Sequence, residues 1–362
     1  MRSSRARGPA AGSTSSRDRG LADTVLVTGI SGFIAGHVAR MLLDAGYRVR
    51  GSLRSLTRAD EVRSALAAAT ASGATDRLEF VELDLTSDFG WREAAAGCRF
   101  VQHIASPFFI EIPKDRNELI VPAVEGTRRA LTAALKAGAE RMVLTSSIAA
   151  VAYGHPPERT EPFTAADWSK TEGGDVTAYT ESKTLAELEA WTVMEAAGRR
   201  NDLAVVNPHV VLGPLLGNDP GVSAALVKRL LDGSLPVAAR VYIGIVDVRD
   251  VAALHVAAME TPEAGGRRFL ASAGNLSLMD GVAVLRPAFP EYARKMPMMQ
   301  LPDWFIRAFG WIDRDMRSNM SALGVQRTID NGPAEALLGR PLLSPNVALL
   351  ATAQSLIERR LV

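Results

Sequence analysis

Tyr179 and Lys183, in the run Ala178-Tyr179-Thr180-Glu181-Ser182-Lys183, are spaced to lie on one face of a helix, a turn apart. A phenol titrates near ~10 in water and serves as an acid or base at neutral pH only where positive charge beside it stabilises phenolate. Lys183 supplies such a charge, so the pair is suited to moving a proton on or off an oxygen. Tyr and Lys also meet at this spacing by chance in many helices, and their meaning depends on what else the chain brings to them. Upstream, the apolar run Arg141–Ser146 ends in Thr145-Ser146-Ser147. A hydroxyl at the carboxyl end of a parallel strand faces the ligand crevice. Ser147 or Ser146 could therefore donate to a substrate oxygen beside Tyr179, or could simply cap the strand end, as Thr145 could.

Near the start of the chain, Thr28-Gly29-Ile30-Ser31-Gly32-Phe33-Ile34-Ala35 follows the apolar run Thr24-Val25-Leu26-Val27 and opens an amphipathic segment from Phe33 to Asp44. The spacing G-x-x-G-x-x-A is that of a dinucleotide fingerprint. Gly29 can take the tight turn, Gly32 lets backbone approach a pyrophosphate, and Ala35 allows helix and strand to pack closely, with the N–H groups of the helix start facing the phosphates. A strand-turn-helix that happens to use glycine is the plainer reading of this stretch alone. With Tyr179 and Lys183 behind it, the fingerprint points to a nicotinamide cofactor, whose oxidised ring would add positive charge near the phenol. The second apolar run ends Arg50-Gly51-Ser52-Leu53-Arg54-Ser55-Leu56-Thr57-Arg58, with no acid to bind an adenosine ribose. Arg54 and Arg58 could instead grip a 2′-phosphate, which favours NADP (NADPH) over NAD. Solvated surface charges are the alternative for both. Asp84, after the third run, could accept from the adenine amino group or cap the following helix.

These groups need a parallel sheet to position them, and the chain supplies its pattern. Apolar runs at Thr24–Thr28, Arg48–Leu53, Leu78–Leu83, Phe100–Ala105, Arg141–Ser146 and Leu203–Val211 alternate with helical stretches such as Leu131–Ala137 and Ala178–Ala197. The expected class is α/β: a Rossmann-type doubly wound parallel sheet with a smaller C-terminal α/β substrate lobe. Past Gly213 the rhythm breaks, with strands expected around Val241–Ile245 and Arg267–Ala271. The boundaries read as a disordered Arg/Ser-rich tail over 1–22, a dinucleotide-binding domain over 23–212, and residues 213–362 mainly as the substrate lobe. Arg and Ser enrichment in the tail also suits an organellar transit peptide, although no amphipathic apolar face is visible.

Composition narrows the function classes. The 362 residues are 47% hydrophobic and 22% charged, with a formal net charge of +1, which gives no reason to expect nucleic acid. Cys98 is the only cysteine, so no internal disulfide forms and a reducing cytoplasmic setting is the simplest. No uncharged apolar run approaches the ~18 residues of a spanning helix, so no membrane partner is expected. The five histidines show no metal-ligand spacing. His37 falls on the first helix and His255 on the helix after Asp250.

The ordered motifs together resemble an extended short-chain dehydrogenase/reductase of the dihydroflavonol-4-reductase, cinnamoyl-CoA reductase and ketoreductase branch, within the NAD-dependent epimerase/dehydratase superfamily. The matching text runs from Val27-Thr28-Gly29 to His37, then Gly51–Ser55, His103-Ile104-Ala105-Ser106-Pro107-Phe108, Leu144–Ser147 with Ala149-Ala150-Val151, and Ala166-Asp167-Trp168-Ser169. It continues through Tyr179–Glu187 as Y-x-x-S-K-x-x-A-E, Asn207-Pro208, Gly213-Pro214 and Val246–Ala252. The resemblance implies that Gly29, Gly32, Phe33 and Ile34 line the pyrophosphate turn, and that Arg54 and Arg58 hold the 2′-phosphate. It implies Asp84 and Leu85 beside adenine, Ala105 and Ser106 beside the ribose and site mouth, and Pro208 against nicotinamide. Tyr179 would be the proton donor, Lys183 would bond the ribose and lower the phenol's pKa, and Ser147 would orient the carbonyl. Departures are Gln102, where an apolar residue is expected, facing helix or crevice, and Gly36, which would loosen its helix turn. Met296, Met298, Met299, Trp304, Phe305, Phe309 and Trp311 read as core or as a wall of an apolar pocket. His155, on a loop that should border the substrate, reads as an idle surface residue or as a donor to it.

The expected reaction is NADPH-dependent reduction of a ketone or aldehyde to the alcohol, or the reverse oxidation, on a medium-sized apolar or aromatic substrate. The alternatives are a sugar-nucleotide epimerase or dehydratase, a 3β-hydroxysteroid dehydrogenase-like enzyme, and a non-catalytic NADP sensor. The expected partner is that small carbonyl or alcohol substrate, with the chain a monomer or a homodimer through the helices at Leu119–Ala137 and Tyr179–Ala197.

Overall fold

A computed structural model describes residues 23–107, 115–309 and 323–362. The tail over 1–22, Phe108 and Trp311 lie outside the described residues. Strands β1 (Thr24–Val27), β2 (Arg48–Leu53), β3 (Leu78–Glu82), β4 (Phe100–His103), β5 (Arg141–Thr145) and β6 (Leu203–Pro208) alternate with helices α1 (Phe33–Asp44), α2 (Ala59–Ala69), α3 (Trp91–Ala95), α4 (Asn117–Lys136) and α5 (Ala178–Ala196). Then come β7 (Val210–Leu212), α6 (Gly221–Asp232), β8 (Tyr242–Asp247), α7 (Val248–Glu260), β9 (Arg268–Ala271), β10 (Gly274–Ser277), α8 (Leu278–Ala288), α9 (Asp303–Phe309), α10 (Gly332–Leu338) and α11 (Pro345–Glu358). Among the described residues no helix is long and apolar enough to cross a membrane.

The large sheet is all parallel, in the order β3-β2-β1-β4-β5-β6-β9. Alternate residues of each strand feed two separate cores, as a twofold side-chain period requires. Val25, Val27 and Val143 join α1, α2 and α7 on one face. Leu26, Met142 and Leu144 join α3, α4 and α5 on the other. Strand order reverses between β1 and β4, and the crevice at that switch point is where an open α/β sheet takes its ligand.

The run Leu203–Val211 is not one strand. Proline has no N–H with which to extend the ladder, and the chain leaves the large sheet at Pro208. Val210–Leu212 pairs with β8 in a second, three-stranded sheet of order β10-β8-β7. The segment from Val248 to Ala271 returns to the large sheet as α7 and β9. β7, β8, α6, α8 and α11 build a separate core, whereas Ala334, Leu337 and Leu338 of α10 pack into the core that α1 and α7 share. Leu131–Ala137 is the last part of the longer α4, which starts ahead of Pro122.

Of the aromatic and Met residues read as core or pocket wall, Met296 is buried, whereas Met298 is 81% and Trp304 69% exposed. Gly36 does not loosen α1: its N–H donates to Gly32 O at 2.9 Å, and a side chain there would meet Leu216 Cδ1 at 3.4 Å. Gln102 faces the helix side, bonded to His255 of α7.

Candidate active site

The residues singled out at the carboxyl ends of the strands lie along one edge of the parallel sheet. Gly29 turns the chain after β1 with a φ of 67°, a left-handed value that glycine adopts without strain. A Cβ on it would stand 3.0 Å from the Cβ of Ala105, which follows β4, so the two strand ends meet backbone to backbone. Gly32 caps α1 with no side chain, and Phe33 and Ile34 begin the helix, which leaves its first N–H groups open toward the crevice. Ala35 is buried against β1, and Ser106 follows Ala105, half-buried. These residues form a cradle that a pyrophosphate fits: small side chains, open backbone donors and a helix start.

Thr28 holds this cradle together. Its Oγ1 accepts from the N–H groups of Ile104 and Ala105, each at 3.0 Å, and lies 3.0 Å from His103 Nδ1. Both acceptor lone pairs are used, so its one proton goes to Nδ1 and His103 is the neutral Nε2–H tautomer. Burial, with Lys183 adding to it, holds His103 down at about 3. Ser52 in β2 accepts the Gly29 N–H at 2.9 Å.

Arg54 lies one residue past β2, exposed, and makes no hydrogen bond or ion pair among the described residues, though its charge reaches Asp84. Arg58 is engaged with Glu61 through Nε at 3.1 Å and Nη2 at 3.2 Å. Asp84 Oδ1 accepts from the Thr86 N–H and hydroxyl, both at 2.7 Å, which holds the carboxyl below its ordinary range. Leu85 packs toward α4, where a side chain at Gly126 would meet it.

The second half of the crevice carries the hydroxyls. Thr177 caps α5 by accepting the Thr180 N–H at 3.2 Å. One turn in, Tyr179 is half-buried with the Lys183 ammonium 5.8 Å from its ring centre. Burial pushes the phenol up, a hydrogen bond from Ser147 pulls it down, and the neighbouring Tyr153 adds to the rise. Burial brings Lys183 down to about 8, opposed by Glu187. The Ser147 hydroxyl accepts the Ala149 N–H at 3.1 Å and reaches Pro208 O at 3.4 Å, so Ser147, Tyr179, Lys183 and Pro208 are gathered at the ends of β5 and β6.

Two adjacent serines are separated by their partners. Ser146 donates its only proton to Glu187 at 2.5 Å and is buried, which leaves Ser147 as the hydroxyl able to face a ligand. The sequence reading gave no role to Glu187, Asn207 or Arg268. A charged residue on the core face of α5, and an arginine opening the strand Arg268-Phe269-Leu270-Ala271, were the available signals. Among the described residues Lys183 makes no hydrogen bond, and Asn207 Oδ1 is buried without a partner. The ribose hydroxyl pair of a dinucleotide suits an ammonium left without a hydrogen bond in this way.

His155 is pinned to Trp168 O at 3.0 Å and packs edge-on to Phe163. It lines a cavity of about 240 Å³ with Ala152, Arg159, Phe163, Asp175 and Arg327.

Comparison with known proteins matches this architecture. The profile of the NAD dependent epimerase/dehydratase family covers residues 25–271, from β1 to the end of β9. The chain is 38% identical over 273 residues to cinnamoyl-CoA reductase 1 of Petunia hybrida, spanning 74% of this chain and 78% of the relative. This chain belongs to the NAD dependent epimerase/dehydratase family. Within that family, the extended short-chain dehydrogenase/reductases, it is also 33% identical over 304 residues to ketoreductase azaE of Aspergillus niger, spanning 78% and 87% of the two chains. Yeast methylglyoxal/isovaleraldehyde reductase Gre2, solved in complex with NADPH, superposes with a TM-score of 0.76 at 26% identity, over 93% of this chain and 99% of that one. The family member described here thus sits in the reductase branch that its motifs resemble.

Proposed function

We propose that this chain is an NADPH-dependent oxidoreductase that reduces a ketone or aldehyde on a medium-sized apolar or aromatic substrate to the alcohol, and runs the reverse oxidation. The observation that carries the reading is the juxtaposition of three groups: the Ser147 hydroxyl bonded to the Tyr179 phenol, and the Lys183 ammonium 5.8 Å from that ring. When bound, NADPH supplies the hydride. The Gly29–Ile34 turn with Ala105 and Ser106 cradles its pyrophosphate and ribose, Arg54 and secondarily Arg58 hold the 2′-phosphate, Asp84 and Leu85 flank adenine, and Pro208 faces nicotinamide. Ser147 donates to the substrate oxygen, and Tyr179, kept as the neutral phenol by burial, gives that oxygen its proton. Lys183 bonds the ribose and stabilises the phenolate left behind.

Three named relatives support the reaction class, being reductases of a thioester, a ketone and small aldehydes. Arg54, standing where an acidic residue would bind the ribose of NAD, weighs against the epimerase, dehydratase and steroid-dehydrogenase readings. Residues 23–212 would serve the cofactor and 213–362 mainly the substrate, with α7 and β9 completing the large sheet. The outer face of α4 and α5 carries the pairs Arg116–Glu181 and Arg128–Glu189, with Val121 and Leu188 as its exposed large apolar residues, which favours a monomer in sedimentation experiments.

The test is NADPH and NADH oxidation against aldehydes, aryl ketones, β-keto esters and steroid ketones, with Tyr179→Phe alongside. Tyr179→Phe should lower kcat by roughly 10²- to 10⁴-fold while NADPH still binds. The phenol form exists below its raised pKa, so reduction should slow, and alcohol oxidation quicken, as pH rises toward it. Turnover that survives Tyr179→Phe sinks the mechanism.

A further inference from the structure

Glu187 and Arg268 form an ion pair sealed beneath the crevice, their side chains 0% and 7% exposed. Neither takes part in the proton transfer proposed above, and burying such a pair costs desolvation that its own attraction seldom more than offsets. What distinguishes this pair is the set of segments it joins. Glu187 Oε1 accepts from Arg268 Nε at 2.6 Å and from Trp191 Nε1 at 3.4 Å. Oε2 accepts from Ser146 Oγ at 2.5 Å, Asn207 Nδ2 at 2.7 Å and Arg268 Nη2 at 3.3 Å. Every neighbour is a donor, so the carboxyl is ionised.

Those partners reach further. Asn207 Nδ2 also donates to Ser147 O at 3.2 Å, which fixes the carboxamide beside Pro208. Arg268 Nη1 donates to Ala165 O at 2.9 Å and Asp167 O at 2.6 Å, and the guanidinium lies 3.9 Å from the centre of the Trp168 ring. One carboxylate on α5 therefore fastens the ends of β5 and β6, the start of β9 and the loop over 165–168. Tyr179 and Lys183 project from α5 itself, and Ser147 and Pro208 from the ends of β5 and β6. Glu187 is also one helical turn from Lys183, on the same face.

We infer that Glu187, anchored by Arg268, is a positioning residue for the Ser147, Tyr179 and Lys183 site: it sets α5 against the ends of β5 and β6 and keeps the Lys183 ammonium charged. The inference rests on the roles of Tyr179 and Lys183 proposed above. Among the described residues, the charged and titratable groups around Lys183 are Tyr179 and Glu187 on its own helix, neutral His103 from β4, Tyr153 beyond Tyr179, and Arg268 behind Glu187. Burial opposes the ammonium, and Glu187 is the group that supports it.

The experiment is the pH profile of kcat/KM for carbonyl reduction with NADPH, for the wild type, Glu187→Gln, Glu187→Asp and the charge-neutral double variant Glu187→Gln/Arg268→Gln, each checked for a cooperative melt. Lys183, brought down to about 8, loses its proton before the phenol does and sets the first alkaline limb. Glu187→Gln should move that limb down by about one pH unit, and the double variant should move it the same way by a smaller step. Glu187→Asp, which keeps the charge but not the reach, should retain the wild-type limb with a kcat lowered about tenfold. If Glu187→Gln does not fold, the double variant, which leaves no orphaned guanidinium, carries the test. A limb unmoved in the folded variants, with or without a uniform fall in rate, overturns the inference, as does Glu187→Asp shifting the limb as far as Glu187→Gln. Tyr179→Phe is run beside them: activity surviving in that variant refutes the Tyr179 mechanism itself, whereas an inactive Tyr179→Phe with unmoved limbs refutes only the part given to Glu187.

Discussion

Arg54 should decide which nicotinamide cofactor this enzyme prefers, and Arg58, four residues on, should matter far less. The structure distinguishes two residues that look equivalent in sequence. Arg54 is exposed at the end of β2 and makes no ion pair among the described residues, so a 2′-phosphate would meet a guanidinium with nothing to release. A charge-assisted hydrogen bond is worth roughly 1.5–3 kcal/mol, or about 10- to 150-fold, and solvent at this exposed site places Arg54 near the lower end. Arg58 already holds Glu61 through two hydrogen bonds, and any contact with phosphate must first loosen that pair and face its carboxylate. Its loss should therefore cost no more than about threefold.

The assay is kcat/KM for NADPH and NADH at low ionic strength with any substrate the panel identifies, since salt screens an exposed contact. Arg54→Ala should lower the NADPH value about tenfold or more and leave the NADH value within about twofold. Arg58→Ala should be nearly neutral, and Glu61→Gln, which frees Arg58, should raise NADPH affinity. Equal losses with both cofactors in Arg54→Ala would mean that Arg54 supports the fold of the turn rather than the phosphate. A larger loss in Arg58→Ala than in Arg54→Ala would refute the reasoning from the Glu61 pair.

Stability should fall steeply in weak acid. Burial holds His103 and His255 at about 3 and His37 at about 4, against 6.5 when unfolded. The unfolded chain binds these protons first, so stability is complete above the unfolded value and is lost as pH falls toward the folded ones, on the order of 2 kcal/mol per histidine by pH 5. Urea midpoints measured from pH 7.5 to 5 should drop accordingly, with a shallower slope in His255→Gln; a flat profile contradicts the burial argument. Gly51→Ala in β2 would drive a methyl into Ile30, whose Cγ2 would lie at 2.8 Å and Cβ at 3.0 Å. It should destabilise by roughly 1–3 kcal/mol and weaken NADPH binding, because Ile30 belongs to the Gly29–Gly32 turn. Adding Ile30→Ala should recover part of the melting temperature, and no recovery would place the damage elsewhere.

What the sequence could reveal, and what it could not, divides along the range of the forces involved. The turn at Gly29 was legible because a left-handed residue after a buried strand narrows the choice to glycine. The crevice residues were legible because a parallel sheet puts every strand end on one side, so Arg54, Asp84, Ala105 and Ser147 could be assigned to a common edge without knowing any contact. The division of β6 from β7 was signalled only by Asn207-Pro208-His209 inside the run Leu203–Val211, and the different partners of Val206 and Val211 make it plain. Adjacency in the chain could not choose between Ser146 and Ser147. That choice is made by Glu187, 41 residues later, which takes the Ser146 proton and is itself held in place by Arg268, a further 81 residues on. Gln102 likewise turns from crevice to helix because His255, 153 residues away, offers a ring N–H to its carbonyl oxygen and a main-chain acceptor to its amide. Strand ends follow from local pattern, whereas the ownership of each proton is settled by partners that only the closed fold brings together. Substitution of Tyr179 tests the proton-transfer chemistry itself, whereas the pH profiles of Glu187 variants test the partners that hold that chemistry in place.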